Sequence, residues 1–262
     1  MLDNNRAGAL HVYHACAAVL EQEFGAEPDP TTRQLYEQIS ETRSGQPLAF
    51  VPAPASGPSL SLVGRHQEWG QLQEAWQTAQ NDPPYFVCIG GEAGIGKTRL
   101  AEELLAWAGK LNISTAAAQC YAGAGGLAYE PVATWLRAQA IGPGLDGLDD
   151  VWFHELTRLL PERAAERPHL PAPGPIDQAW QRQRMFDAFV RTICRGQALI
   201  LLLDDLQWID RETLHWLSYL SQQELDAPLL VVCGLRTDQI GPDHPARTFL
   251  RQLERLNRLT SI

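Results

Sequence analysis

The feature that most constrains the fold of this chain is a glycine-rich stretch at residues 91–98, which reads Gly-Glu-Ala-Gly-Ile-Gly-Lys-Thr. Its spacing satisfies every defined position of the phosphate-binding loop pattern GxxxxGK[ST]. The preceding residues, 85–89, are apolar or aromatic and suit a buried strand. The residues that follow place apolar side chains at helical spacing, at Leu100, Leu104 and Ala108. The sequence therefore predicts a strand, a phosphate-binding loop and a helix in direct succession.

Each part of this loop has a role in holding a phosphate. Glycines let the backbone N–H groups turn inward with no Cβ in the way. The helix that begins at Lys97 points the positive end of its dipole at the same anion. Lys97, which is also predicted to be a catalytic residue, can reach the β- and γ-phosphates of ATP or the β-phosphate of ADP, and the Thr98 hydroxyl is a hard oxygen ligand for Mg²⁺. We therefore expect nucleotide contacts from Gly91, Glu92, Ala93, Gly94, Ile95, Gly96, Lys97, Thr98 and Arg99.

A second apolar run ends in two adjacent carboxylates. Residues 198–203 are all apolar, as expected of a buried parallel strand, and Asp204 and Asp205 follow them. Asp204 stands where a nucleotide site needs a carboxylate for Mg²⁺, so we predict that it shares the metal with Thr98. Asp205 is predicted to be the catalytic group that orients the attacking water. Asp210, a little further on, is predicted mainly to cap the following helix.

Strands and helices alternate along most of the chain. Further strands are predicted at residues 113–119 and 228–235, a long amphipathic helix at 177–195, and a last helix and apolar segment at 245–262. Two glycine- and proline-rich segments, 141–148 and 161–175, are predicted to be loops without chemistry. This alternation predicts an α/β, three-layer P-loop NTPase fold, with a doubly wound parallel sheet, helices on both faces and the ligand at the carboxyl ends of the strands.

Charge and cysteine usage restrict the environment and the partners. Acidic residues outnumber basic ones by 31 to 21, which argues against direct DNA binding by this chain. The five cysteines are scattered and fit buried small side chains in a reducing compartment. The sequence shows neither a signal-peptide pattern nor an apolar run long enough to span a membrane, so a cytoplasmic location is predicted.

The first 61 residues differ in character from the rest. Residues 1–43 suit two amphipathic helices, and residues 44–61 form a Pro/Gly-rich linker before the predicted ATPase domain at 62–262. Two helices cannot close a core alone, so the first segment is predicted to be a short TPR-like end of a helical repeat domain. A generic helical hairpin is the alternative that these residues leave open.

From residue 62 onward, the motifs and their order resemble the STAND-type AAA-like ATPases. The resemblance is carried by a VGR tripeptide at 63–65, the phosphate-binding loop, the DD-x-[HQ]-W-x-D signature at 204–210 and the Gly-Leu-Arg end of the 228–235 strand. It implies that Val63, Gly64 and Arg65 line an adenine pocket, although these residues could equally anchor the following helix. It implies that Arg236 is a catalytic γ-phosphate sensor rather than a solvated arginine. It also implies that the Arg236 strand lies between the other two site strands.

Residues 5–36 resemble the end of the bacterial transcriptional activator domain, which implies a SARP-like regulator with ATP and ADP favouring different domain arrangements. Protein partners or self-association would use the helical segment and the ATPase domain, and DNA contact would come from an upstream domain or a partner. We expect this sequence to lack the family's helical lid, either as a fragment of a larger regulator or as the product of a shortened gene, and we therefore expect ATPase turnover to be low. The same ATPase attached to a cyclase, a kinase or a LuxR-type effector, a non-hydrolysing ATP-binding scaffold, and a small-molecule phosphotransferase are the alternatives. The paired Asp204 and Asp205 count against a scaffold.

Overall fold

A five-stranded parallel sheet forms the centre of the part of the chain that the structure describes. The computed structural model describes residues 64–122, 128–174, 179–193 and 197–262. The sheet has the strand order β2-β3-β4-β1-β5, and every neighbouring pair is parallel. Its strands are β1 (Tyr85–Gly91), β2 (Ser114–Gln119), β3 (Leu199–Asp204), β4 (Leu229–Arg236) and β5 (Leu259–Ser261). The predicted position of the Arg236 strand, between the phosphate-loop strand and the strand that ends in Asp204, is confirmed.

Helices cover both faces of this sheet. The described helices are α1 (His66–Asn81), α2 (Lys97–Lys110), α3 (Glu130–Arg137), α4 (Gly142–Asp146), α5 (Asp150–Leu156), α6 (Ala179–Ile193), α7 (Arg211–Leu220) and α8 (Pro245–Arg255). Short 3-10 helices lie at Pro161–Glu166, Leu206–Trp208 and Thr237–Gln239.

Alternate residues of the central strands bury into two separate cores. Along β3, Ile200 and Leu202 pack with apolar residues of α1 and α2, whereas Leu201 and Leu203 pack with those of the helices from α3 to α8. Successive side chains of a strand point to opposite faces, so a strand covered on both faces must be apolar at nearly every position. The predicted three-layer P-loop NTPase fold is confirmed.

Two segments predicted to be loops contain short helices. The α4 helix lies within residues 141–148, and a 3-10 helix occupies Pro161–Glu166. The first prediction was wrong because Ile141, Leu145 and Leu148, which are all buried, have the spacing of one helical face. The glycines and prolines between them obscured that periodicity in the sequence.

Several predictions fall on residues that the structure does not describe. The two amphipathic helices of residues 1–43, the linker at 44–61 and Val63 lie outside the described residues. Within the described ranges, none of the helices is long and apolar enough to cross a membrane.

Candidate nucleotide site

The loop between β1 and α2 is shaped by glycines that adopt backbone conformations unfavourable for other residues. Gly94 and Gly96 have φ values of +80° and +91°, in the left-handed region that only glycine enters at little cost. Helix α2 begins directly after Gly96, at Lys97. Because Gly96 has no side chain to cap the helix, the first backbone N–H groups of α2 are not used by a capping side chain. The loop and the helix start therefore offer donors to an anion.

The Lys97 side chain is buried against this loop. Its ammonium group donates hydrogen bonds to the carbonyl oxygens of Gly91 and Glu92, at 2.9 and 2.8 Å. The residue is only 9% exposed, which is unusual for a lysine. Its positive charge is thus held where the loop would enclose a phosphate.

Arg65, at the start of α1, also contacts the loop. Its guanidinium donates a hydrogen bond to the carbonyl oxygen of Ile95. Gly64, which precedes it, has a φ of +81°. The structure therefore places Arg65 beside the phosphate loop, and the assignment of these two residues to an adenine pocket stays a prediction.

Thr98 and Asp204 come together at the carboxyl end of the sheet. The Thr98 hydroxyl donates a hydrogen bond to Asp204 Oδ2 at 2.9 Å, and the other oxygen, Oδ1, accepts one from the Asp205 backbone N–H at 2.9 Å. A hydroxyl and a carboxylate are hard oxygen ligands of the kind that Mg²⁺ prefers. The two side chains therefore fit the predicted metal position.

Gly234 of β4 makes room for the Asp204 carboxylate. A Cβ atom at this position would lie 2.2 Å from Asp204 Oδ1, far closer than two non-bonded atoms can approach. Gly234 has no role that the sequence alone predicts. The available signal was a glycine inside a strand that is otherwise apolar, because such a glycine often marks a close approach.

Asp205 is buried and both of its carboxylate oxygens are engaged. The residue is 8% exposed and has a φ of +56°, an uncommon conformation for a residue other than glycine. Oδ2 accepts a hydrogen bond from Gln119 Nε2 at 2.9 Å, and Oδ1 accepts one from Gln207 Nε2 at 2.7 Å. Neither glutamine has a role that the sequence alone predicts, although Gln119 ends a predicted strand at this edge of the sheet.

Arg236 lies against the same carboxylate. Its Nε atom is 3.3 Å from Asp205 Oδ1, and its guanidinium carbon is 5.3 Å from the centre of the Trp208 ring. The backbone N–H of Arg236 donates to Gln207 Oε1 at 3.0 Å. The structure thus brings the end of β4 into contact with the segment that follows β3.

Arg99 and Asp210 lie at the margins of the site. The Arg99 guanidinium is 3.8 Å from both Glu102 and Glu103 on the surface of α2, so its predicted nucleotide contact stays a prediction. Asp210 accepts a hydrogen bond from the Thr213 backbone N–H at 2.8 Å, which confirms that it caps α7.

Four carboxylates lie near the Cys120 thiol at this edge of the sheet. Burial raises the pKa of the Cys120 thiol, and carboxylates at four nearby positions raise it further: Asp210, Asp205, Asp204 and Glu130. Among the described residues, no group of three or more His, Cys, Asp or Glu side chains could hold a metal alone. Mg²⁺ would therefore need phosphate oxygens and water beside Thr98 and Asp204.

The solved structures to which this chain is similar are those of longer chains. Cdc6p from Pyrobaculum aerophilum is 17% identical over 80% of this chain and 47% of that chain, with a TM-score of 0.45. The Aeropyrum pernix Orc1 protein, in complex with DNA, is 16% identical over 74% of this chain and 45% of that one, with a TM-score of 0.38. The structure of Drosophila ORC bound to AT-rich DNA and Cdc6 is 10% identical over 74% of this chain and 53% of that chain, with a TM-score of 0.36. This chain thus spans about half the length of each.

Two family models match the sequence. The bacterial transcriptional activator domain matches residues 2–40. The AAA ATPase domain matches residues 61–232, which include the phosphate loop, Asp204 and Asp205. None of the curated proteins matches the chain. The larger match covers well over half of the sequence, and this chain belongs to the AAA ATPase domain family.

Proposed function

We propose that this chain is an ATP-binding, slowly ATP-hydrolysing switch of a bacterial transcriptional regulator, with the nucleotide seated on the loop between β1 and α2. The observation that carries the proposal is the 2.9 Å hydrogen bond between the Thr98 hydroxyl and Asp204 Oδ2. It joins the helix turn beside a phosphate-binding loop to a carboxylate from a different strand, and a magnesium–nucleotide complex needs both groups at one point.

The proposed binding roles follow from the positions of the side chains. Backbone N–H groups of the loop and of the first turn of α2 would bind the phosphate oxygens. The Lys97 ammonium, now bound to the Gly91 and Glu92 carbonyls, would exchange those contacts for stronger ones to phosphate oxygens. Thr98 and Asp204 would hold Mg²⁺, which when bound would neutralise charge on the phosphates.

The proposed catalytic roles fall to Asp205 and Arg236, beside Lys97 with its contact to the phosphates. Each Asp205 oxygen accepts a hydrogen bond from a glutamine, but a carboxylate has about four acceptor sites. Asp205 can therefore still accept a hydrogen bond from a water and orient it toward the terminal phosphate. The Arg236 guanidinium, 32% exposed, could turn from Asp205 to a γ-phosphate oxygen and stabilise the charge that develops there.

The regulatory part of the proposal rests on the match of residues 2–40 to the bacterial transcriptional activator domain. Binding of ATP or ADP would favour different arrangements of the helical segment and the ATPase domain, because each nucleotide can stabilise only the state to which it binds better. This proposal includes the domain boundaries, with a helical segment at 1–43, a linker at 44–61 and an ATPase domain at 62–262. It also includes a cytoplasmic location and the use of protein partners. DNA contact would come from another domain or a partner.

Direct binding and turnover measurements test the proposal. Titration calorimetry with Mg-ATP and Mg-ADP should give saturable binding with one nucleotide per chain, and EDTA should weaken the binding of ATP. Phosphate release should be slow, and Asp205→Asn should suppress it. A chain that binds neither nucleotide would contradict the proposal, whereas binding without phosphate release would reduce the function to that of an ATP-binding switch.

A further inference from the structure

We propose that Gln207 is a positioning residue that fixes Arg236 and Asp205 relative to each other; this inference rests on the proposed ATP site. Gln207 is 5% exposed and lies in the short 3-10 helix after β3. Its side-chain amide spans two groups. Nε2 donates to Asp205 Oδ1 at 2.7 Å, and Oε1 accepts from the Arg236 backbone N–H at 3.0 Å.

The chemistry of the neighbours allows only one orientation of this amide. The Arg236 backbone N–H can only donate, so it must face the amide oxygen of Gln207. The Asp205 carboxylate accepts from the opposite side of the amide, where the nitrogen lies. Both partners are satisfied at once, and neither would be if the amide were reversed.

The Gln207 side chain connects Asp205 and Arg236 beyond the point where the sheet joins their strands. Backbone pairing between β3 and β4 ends at Leu203 and Cys233, short of both Asp205 and Arg236. Beyond that point the strand ends have no ladder between them, and the Gln207 amide supplies a connection. Trp208 adds a second contact, because its ring lies beneath the Arg236 guanidinium.

His244 holds Gln207 from the other side. The Ala246 backbone N–H donates to His244 Nδ1 at 3.2 Å, which places the proton of the neutral ring on Nε2. That Nε2 lies 3.0 Å from the Gln207 carbonyl oxygen and donates to it. The 3-10 helix that carries Gln207 is therefore held at the start of α8.

A group held in this way affects the reaction more than the binding of the product nucleotide. Asp205 and Arg236 are the residues proposed to act on the water and on the γ-phosphate. The chemical step requires both side chains in the correct relative position. ADP has no γ-phosphate. Loss of the Gln207 bridge should therefore lower the rate of phosphate release and the preference for ATP over ADP, while the affinity for ADP remains close to that of the unmodified chain.

Four variants of the full chain test this role. Gln207→Met keeps the length of the side chain and removes both hydrogen bonds, and Gln207→Asn is too short to span both partners. Gln207→His restores one donor and one acceptor. Gln222→Met changes an exposed glutamine in the loop after α7 and serves as the matched control. Thermal unfolding of each variant shows that it is folded, and the Asn variant replaces Met if the latter is unstable.

We expect Gln207→Met and Gln207→Asn to release phosphate about tenfold more slowly, with the Kd for ADP changed by about twofold or less. Gln207→His should recover most of the rate. If the unmodified chain binds ATP without releasing phosphate, its preference for ATP is the measure. The Kd for ADP divided by the Kd for ATP should then fall about tenfold in the same two variants. If the Gln207 variants release phosphate and bind both nucleotides like Gln222→Met, the role of Gln207 is overturned, whereas the proposed function is not. Failure of the unmodified chain to bind either nucleotide would overturn the proposed function, and this role with it.

Discussion

The hydroxyl of Thr98 lies 2.9 Å from Oδ2 of Asp204, although the two residues are 106 positions apart in the sequence. Thr98 belongs to the first turn of α2, whereas Asp204 ends β3, and β4 lies between β3 and β1. The contact therefore reaches across β4. Gly234 makes this possible, because a Cβ at that position would lie 2.2 Å from Asp204 Oδ1.

Replacement of Gly234 by alanine should displace the Asp204 carboxylate from Thr98. The added methyl group has no space beside Asp204, and overpacking of a filled site typically costs about 1–3 kcal/mol. We expect the Mg²⁺ concentration needed for half-maximal ATP binding to rise about tenfold. Gly241→Ala is the control, because a Cβ there would meet nothing within 4 Å. Equal Mg²⁺ dependence in the two variants would show that Gly234 does not position Asp204.

The two adjacent aspartates should give different phenotypes as asparagine variants. Asp205→Asn should retain ATP binding and lower the rate of phosphate release by about 10²–10⁴-fold. Asparagine also tolerates the left-handed conformation that Asp205 adopts, with its φ of +56°, so the substitution adds no backbone strain. Asp204→Asn should instead raise the Mg²⁺ requirement. Measurements of ATP binding and phosphate release at several Mg²⁺ concentrations distinguish the two variants. If the variants behave alike, this division of roles is refuted.

The buried thiols should resist alkylation in the folded chain. Burial raises the pKa of Cys88 to about 12, and burial is also the main cause that raises the pKa of Cys120 and Cys233. Only the thiolate reacts readily, so at pH 8 these three positions should stay unmodified by iodoacetamide. Peptide mass spectrometry of native and urea-unfolded samples makes the comparison. Rapid native labelling at Cys88 would mean that the β1 core opens readily.

The chain is expected not to bind DNA with sequence specificity. Its formal net charge is −10, and duplex binding requires clustered basic residues that displace counterions. A gel-shift titration at low salt, with and without Mg-ATP, tests this expectation. Tight, sequence-dependent shifts would contradict it, whereas weak binding that disappears as salt rises would agree with it.

The sequence predicted the parts of the site that consist of local patterns. The phosphate loop, the acidic end of β3 and the apolar strands follow from spacing and composition within short segments, and the α/β fold follows from their alternation. The order of β3, β4 and β1 came from the resemblance to a known family.

The missed residues have roles that depend on contacts between distant segments. Gln119 donates a hydrogen bond to Asp205, and Gly234 leaves room for the Asp204 carboxylate. The periodicity of a sequence contains no information about such contacts. Gln207 stood in a recognised signature, but its bridge to Arg236 becomes visible only when the ends of β3 and β4 are placed side by side. The short α4 helix was missed because its glycines and proline resemble those of a loop.

The most direct test of the nucleotide site is calorimetric titration of the unmodified chain and Lys97→Ala with Mg-ATP. Lys97 is the buried positive charge inside the phosphate loop, and its loss should weaken ATP binding by about 1.5–3 kcal/mol. Lys110→Ala, an exposed position at the end of the same helix, should bind like the unmodified chain. Unchanged ATP affinity in Lys97→Ala would contradict the assignment of this loop as the ATP site.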